Sequence, residues 1–223
     1  MGIVLYNVAM SISERHETVE VSPYINSREK RALDVTVATV AGPLAVAAVG
    51  ASVAAVSAIN RCSPIYRQER VTQGGGTFTM NKIRTFDTEG ELLVGGVLLR
   101  RTGVDEIPQF LHVLEGDMSV VGPRALRPDL LNEVYRQLSA HQDSATVNPE
   151  IWMEMRDQVR PGITGPTQVL DITRNGCLDS RMAIVSAEQR YMQTASMRED
   201  LRILGRTPVV ALMRENHTGE PES

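Results

Sequence analysis

Val35-Thr-Val-Ala-Thr-Val-Ala-Gly-Pro-Leu-Ala-Val-Ala-Ala-Val-Gly-Ala-Ser-Val-Ala-Ala-Val-Ser-Ala-Ile59 contains no charged residue. A membrane span needs roughly 20 apolar residues, so the length suffices. The Ala and Val content gives a weaker membrane signal than a Leu-rich run would. Gly42-Pro43 stands near the start, where proline removes a helix hydrogen bond and kinks the helix. Both flanks are basic: Arg28, Lys30 and Arg31 precede the segment, and Arg61, Arg67 and Arg70 follow it. Basic flanks favour the cytoplasmic side, and here both ends are drawn there. A kinked helix that enters one leaflet and returns satisfies both. The alternative is a buried, Ala/Val-rich helix of a soluble core. The polar or mixed residues ahead of the segment argue against a cleaved signal peptide.

The rest of the chain sets limits on function. Its 223 residues suffice for one domain with a core, or for a small domain and an appendage. A net charge of -4 argues against bulk nucleic-acid binding, and 4% aromatic content argues against a base-stacking surface. Cys62 and Cys177 lie far apart and suit reduced thiols in the cytosol better than a disulfide framework. His16, His112, His141 and His217 form no zinc-like spacing.

Met1–Ser27 lacks periodicity and reads as an irregular N-terminal arm, with Ser27–Leu33 as a basic lead-in at the membrane interface. Pro64–Arg70 and Thr77–Ile83 alternate around Gly74-Gly75-Gly76, which predicts a hairpin. The glycines lack the Gly-Lys-Ser/Thr ending of a phosphate-cradling loop. Further on, Met118–Val121 reads as a strand and Asp129–Ser139 as a helix, with a polar loop over Gln142–Pro149. Arg160–Pro166 cannot be regular helix. Asp179–Met192 reads as a helix with Ala187 and Tyr191 inward, and Leu201–Leu212 as an apolar stretch interrupted at Pro208.

Chemistry concentrates at Leu99–Arg124, where the adjacent carboxylates Asp105 and Glu106 sit among Arg100, Arg101 and Arg124. That grouping suits an anionic nucleophile beside cations that neutralise a phosphate substrate. Asp105 is also in position to cap a helix carrying Pro108 in its first turn, with Ile107, Phe110, Leu111 and Leu114 on one apolar face and Gly116 as the stop. A helix start favours an anion such as phosphate. Spacing alone leaves capping and catalysis equally open for the two acids.

Five runs carry a resemblance. They are Tyr66-Arg-Gln-Glu-Arg-Val71, Lys82-Ile-Arg-Thr-Phe86, Leu99-Arg-Arg-Thr-Gly-Val-Asp-Glu-Ile-Pro-Gln109, Gly116-Asp-Met-Ser-Val-Val-Gly-Pro-Arg124 and Arg160-Pro-Gly-Ile-Thr-Gly165. In this order they resemble the bacterial sugar transferases of the monotopic phosphoglycosyl transferase superfamily, over roughly Glu29 to Leu212. Gly42-Pro43 falls where that family has a Ser-Pro break.

The resemblance implies an α+β, predominantly helical fold: a small cytosolic catalytic domain with a β-hairpin, anchored by an N-terminal kinked, re-entrant membrane helix. The divisions are residues 1–27 (arm), 28–61 (interfacial lead-in and membrane helix), 62–214 (catalytic domain) and 215–223 (disordered tail). It implies transfer of a phosphosugar from a UDP-sugar to polyprenyl phosphate, with release of UMP, at the cytoplasmic face of the bacterial inner membrane. Asp105 would be the nucleophile and a ligand of Mg²⁺. Glu106 would serve as base or help hold the metal. Lys82, Arg84, Arg100 and Arg124 would contact phosphate, and Thr164 and Gln168 would complete the nucleotide side. Downstream glycosyltransferases and a second copy of the chain are further partners to consider. Departures from the family pattern are Pro166-Thr167 where Trp-Ala is common, Gly103 where Ser is frequent, the long Gln142–Glu154 stretch, and Pro208. Two other readings stay open: a catalytically silent membrane module that positions other enzymes, and a soluble nucleotide-sugar binder.

Overall fold

The computed structural model describes residues 20–140, 148–169 and 178–213. Most of the N-terminal arm, the centre of the 142–149 loop, Cys177 and the 215–223 tail lie outside the described residues. Helix α1 spans Arg28–Asn60. Ser27 caps it by accepting from the Lys30 N–H, and Arg61 ends it in the left-handed region at φ 52°. Its arms Arg28–Gly42 and Val46–Asn60 are bent by 57° around Pro43, the kink the sequence predicts. Among the described residues, no single helix is long and apolar enough to cross a membrane, whereas the bent pair has the length and composition.

Strands β1 (Ile65–Val71) and β2 (Thr77–Ile83) form the expected antiparallel hairpin, with Ile65 opposite Ile83 and Val71 opposite Thr77. Gly74 and Gly75 supply its turn at φ 79° and 70°. Then come α2 (Gly96–Thr102), a 3₁₀ turn (Val104–Glu106) and α3 (Gln109–Glu115), which stops at Gly116. Strand β3 (Ser119–Val121) pairs in parallel with β4 (Gly162–Thr164), so the Arg160–Pro166 segment contributes a strand. Helices α4 (Pro128–Ala140) and α5 (Pro149–Asp157) lie between them in sequence; α6 (Pro166–Val169), α7 (Leu178–Thr194) and α8 (Met197–Met213) follow. The fold is predominantly helical with one small hairpin. The core gathers Phe78, Met80, Val113, Met118, Trp152, Met155, Val185, Met192 and Ile203.

Several local expectations change. The end of the N-terminal arm is ordered: Pro23–Asn26 forms a 3₁₀ turn, Ile25 is buried, and the Ser22 hydroxyl donates to the Ala195 carbonyl at 2.7 Å. Lys30 and Arg70 are core residues and not interfacial anchors. Lys30 pairs with Asp200 at 2.7 Å and Asp34 at 3.3 Å, and Arg70 donates to the Ala125 carbonyl. Lys30, Asp34 and Ala38 recur on one face of α1, so its first turns pack in the core. Ala187 is only half-buried, while Glu188 and Tyr191 form the inner side of α7. Helix α8 runs through Pro208. One ladder bond is lost there, and the Thr207 hydroxyl bonds back to the Ile203 carbonyl one turn earlier. The sequence pattern missed α5, which opens with Asn148 accepting from the Glu150 and Ile151 N–H groups.

Candidate active site

Asp105 sits in the one-turn 3₁₀ segment between α2 and α3, and Gly103 makes the bend possible. Gly103 takes φ 68°, and its N–H closes α2 on the Arg100 and Leu99 carbonyls. The expectation that Asp105 caps a helix is corrected. Helix α3 starts four residues later at Gln109, behind Pro108, with no side-chain cap. The expected apolar face of α3 is also corrected: Gln109, His112 and Val113 are buried, while Leu111 and Leu114 are exposed. The short helix is rotated so that His112 meets Phe78 edge-on, with ring centroids 5.1 Å apart.

Asp105 is 8% exposed, unusual for an acid. Burial, then the neighbouring Glu106 charge, pushes its carboxyl up to about 7. Lys82, Arg100 and its own backbone N–H act in the opposite direction. Its ionisation at neutral pH, assumed for a free aspartate, is thus only partial. Lys82 reaches in from the end of β2 and pairs with Glu106 at 3.3 Å. Arg100, in the last turn of α2, stacks over the Phe86 ring at 5.0 Å. The fold therefore brings Lys82, Arg100, Asp105 and Glu106 to one place. Helix α1 packs against both β2 and the Asp105 turn.

The other candidates stand differently. The Arg84 Nε donates to the Ser63 carbonyl at 2.8 Å, and its guanidinium covers the Tyr66 ring. Arg124 follows β3 and is half-buried, with its main chain tied to Glu188 and Arg156. Thr164 is buried on β4, its hydroxyl 2.7 Å from that of Thr207. Gln168 on α6 accepts from the Thr167 hydroxyl at 2.8 Å. These last contacts place Thr164 and Gln168 in the support of the β4–α6 bend.

A second group was not apparent from residue spacing. His112, Glu115 and Asp117 place one ligand atom each within 4.8 Å of one another and could coordinate a divalent metal. His112 Nδ1 faces Glu115 at 3.0 Å, while Nε2 faces the Asn81 N–H at 3.3 Å. That N–H needs an acceptor, which puts the imidazole proton on Nδ1, where a metal would have to displace it. Also missed were Glu188 and Arg156. Their only sequence trace was charge on otherwise inward-facing helix positions.

The bacterial sugar transferase family matches residues 25–214. The UDP-glucose:undecaprenyl-phosphate glucose-1-phosphate transferase of Caulobacter vibrioides is 32% identical over 84% of this chain and 71% of its own length. The exopolysaccharide production protein ExoY of Rhizobium meliloti is 31% identical over 90% of this chain and 93% of its own. A UDP-glucose:undecaprenyl-phosphate glucose-1-phosphate transferase of Escherichia coli is 33% identical over 75% of this chain but only 38% of its own length. With the family match spanning most of the chain, this protein belongs to the bacterial sugar transferase family of enzymes.

Proposed function

We propose that this chain transfers a phosphosugar from a UDP-sugar to polyprenyl phosphate in two displacements. An oxygen of the Asp105 carboxylate attacks the sugar-bearing phosphorus. The bond from that phosphorus to the bridging oxygen breaks, and UMP leaves with the electron pair. A phosphate oxygen of the lipid then attacks the same phosphorus, releasing Asp105 and a polyprenyl-diphosphate sugar. The observation that carries this reading is the buried Asp105 carboxyl flanked by Glu106, Lys82 and Arg100. A poorly solvated carboxylate is a reactive nucleophile once ionised, and the cations relieve its repulsion from the diphosphate. Relatives named as undecaprenyl-phosphate transferases support the acceptor class.

The site also fits Mg²⁺. Asp105 and Glu106 offer the hard oxygen donors this ion takes together with substrate phosphates, and a cation would relieve the repulsion that lifts the Asp105 carboxyl. Asp105 is the ligand we assign, with Glu106 its neighbour. When bound, the ion would neutralise charge on the diphosphate.

We place the enzyme at the cytoplasmic face of the bacterial inner membrane, with α1 entering and leaving the same leaflet. The bend at Gly42-Pro43, the exposed Val40 and Val46, and the exposed Arg28, Arg61 and Arg67 support this. The test is UMP release from a panel of UDP-sugars with undecaprenyl phosphate and Mg²⁺, comparing wild type with Asp105→Asn. A phosphosugar mass on the Asp105 peptide, formed without the lipid, is expected. Wild-type turnover by Asp105→Asn would sink the mechanism. Recovery of the protein in the soluble fraction without detergent would sink the membrane placement.

A further inference from the structure

Gly122-Pro123-Arg124 leaves β3 carrying the arginine assigned above to a phosphate. Its main chain is held at nearly every polar group. The Val120 N–H donates to Asp34 Oδ1 at 3.0 Å. The Val121 carbonyl accepts from Lys30 Nζ at 2.9 Å and from the Tyr191 hydroxyl at 3.2 Å. The Gly122 N–H donates to the Thr164 carbonyl at 2.9 Å, and the Pro123 carbonyl accepts from the Gly162 N–H at 2.8 Å.

Arg124 lies beyond β3 but still bridges in parallel to Gly162, and its own N–H and carbonyl are bracketed by side chains. Its N–H donates to Glu188 Oε1 at 2.9 Å, and its carbonyl accepts from Arg156 Nη2 at 2.6 Å. The other oxygen, Glu188 Oε2, pairs with Arg156 Nη1 at 2.5 Å and accepts from Trp152 Nε1 at 3.3 Å. Glu188, Trp152 and Arg156 are 1%, 1% and 8% exposed. A carboxylate from α7 and a guanidinium from α5 thus hold the N–H and the carbonyl of one residue together.

Stability alone does not require this. A buried ion pair is often no more stabilising than apolar residues of equal volume. What an apolar pair could not do is hold both the N–H and the carbonyl of Arg124 in one place. A long side chain reaches a phosphate reproducibly only when its origin is fixed.

We propose that Glu188 and Arg156 are positioning residues that set the main chain of Arg124 for phosphate contact. This rests on the phosphosugar-transfer reading, in which Arg124 meets the substrate. The test is a double-mutant cycle on the full chain in detergent, with UMP release and thermal midpoint measured for Glu188→Gln, Arg124→Ala and the double variant. Glu188→Gln is expected to lower kcat/KM by about 10- to 100-fold. In the Arg124→Ala background the same change should alter kcat/KM by less than about twofold, while the fall in midpoint persists in both backgrounds. Equal activity losses in both backgrounds would overturn the proposal, because Glu188 would then only support the fold.

Arg156→Lys provides a second route should Glu188→Gln fail to fold. It keeps the charge, but one ammonium cannot replace the guanidinium fork between Glu188 and the Arg124 carbonyl, so the same cycle with Arg124→Ala applies. Trp152 is the only tryptophan in the chain and touches this pair, giving a readout independent of turnover. Saturating UDP should shift its emission in wild type and not in Arg124→Ala. Should wild type release no UMP, the reaction falls and this fluorescence decides the link by itself. An emission unmoved by bound UDP, or moved equally in Arg124→Ala, would overturn it.

Discussion

The Lys82 ammonium lies 3.3 Å from the Glu106 carboxylate, one residue beyond the buried Asp105. The two adjacent acids therefore occupy different environments. Glu106 is paired, with its side chain 40% exposed, whereas Asp105 is held in a dry turn with its carboxyl pushed up to about 7. Two acids in such different surroundings are suited to two roles. In the proposed reaction the buried acid is the nucleophile, and the paired one keeps Lys82 in place.

Asp105→Asn should abolish UMP release, with a loss of about a thousandfold or more. It should also stabilise the protein above neutrality. The Asp105 carboxyl rises from about 3.9 in the unfolded chain to about 7 in the fold, so the folded state holds its proton more tightly. The stability from that proton is complete below about pH 4 and is lost as pH rises through about 7. Thermal unfolding without metal should show Asp105→Asn more stable by about 1–4 kcal/mol at pH 8 and no gain at pH 4. Identical midpoints at pH 8 would mean that the carboxylate is well solvated.

Lys82→Met removes one of the cations that draw the Asp105 carboxyl down. The acid limb of kcat/KM for UMP release should move to higher pH, and the rate at pH 7 should fall by about tenfold or more. Lys82→Arg should restore most of the limb. A profile unchanged by Lys82→Met would remove Lys82 from the site.

Lys30→Met should destabilise strongly, because it leaves Asp34 and Asp200 buried without their cation. A loss of about 3–5 kcal/mol is expected in denaturant unfolding. Arg28→Met, at an exposed position two residues away, should change stability by no more than about 0.5 kcal/mol. Similar small effects for both would return Lys30 to the role of an interfacial anchor.

Gly165→Ala should damage both folding and turnover. A Cβ there would run into the Gly122 backbone, displacing the segment that carries Arg124. A fall in kcat/KM of about 10-fold or more is expected. Gly74→Ala meets open space and should cost only about 1 kcal/mol for its φ of 79°, with activity kept.

Single cysteines at Arg28 and Ser63, in a background with Cys62 and Cys177 replaced by alanine, should report the path of α1. Both positions are exposed and flank the bent helix. In inverted membrane vesicles a membrane-impermeant maleimide should label both. Labelling of only one would mean that the helix crosses the bilayer.

The residues by themselves determined the elements whose cause is local. Gly42-Pro43 set the bend of α1, because proline removes a hydrogen bond wherever the helix goes. Alternation around three glycines set the hairpin, and the ordered runs from Tyr66 to Gly165 marked the family. What depends on contacts between distant segments was out of reach. Periodicity put Leu111 and Leu114 inward, but His112 packing on Phe78 turned α3 the other way. Basic spacing put Lys30 at a membrane surface, but Asp200, far along the chain, drew it into the core. Asp105 looked like a helix cap until Gly103 and Pro108 isolated it in its own turn. Its carboxyl is raised by desolvation, a property of everything packed around a group, which no local run of residues encodes.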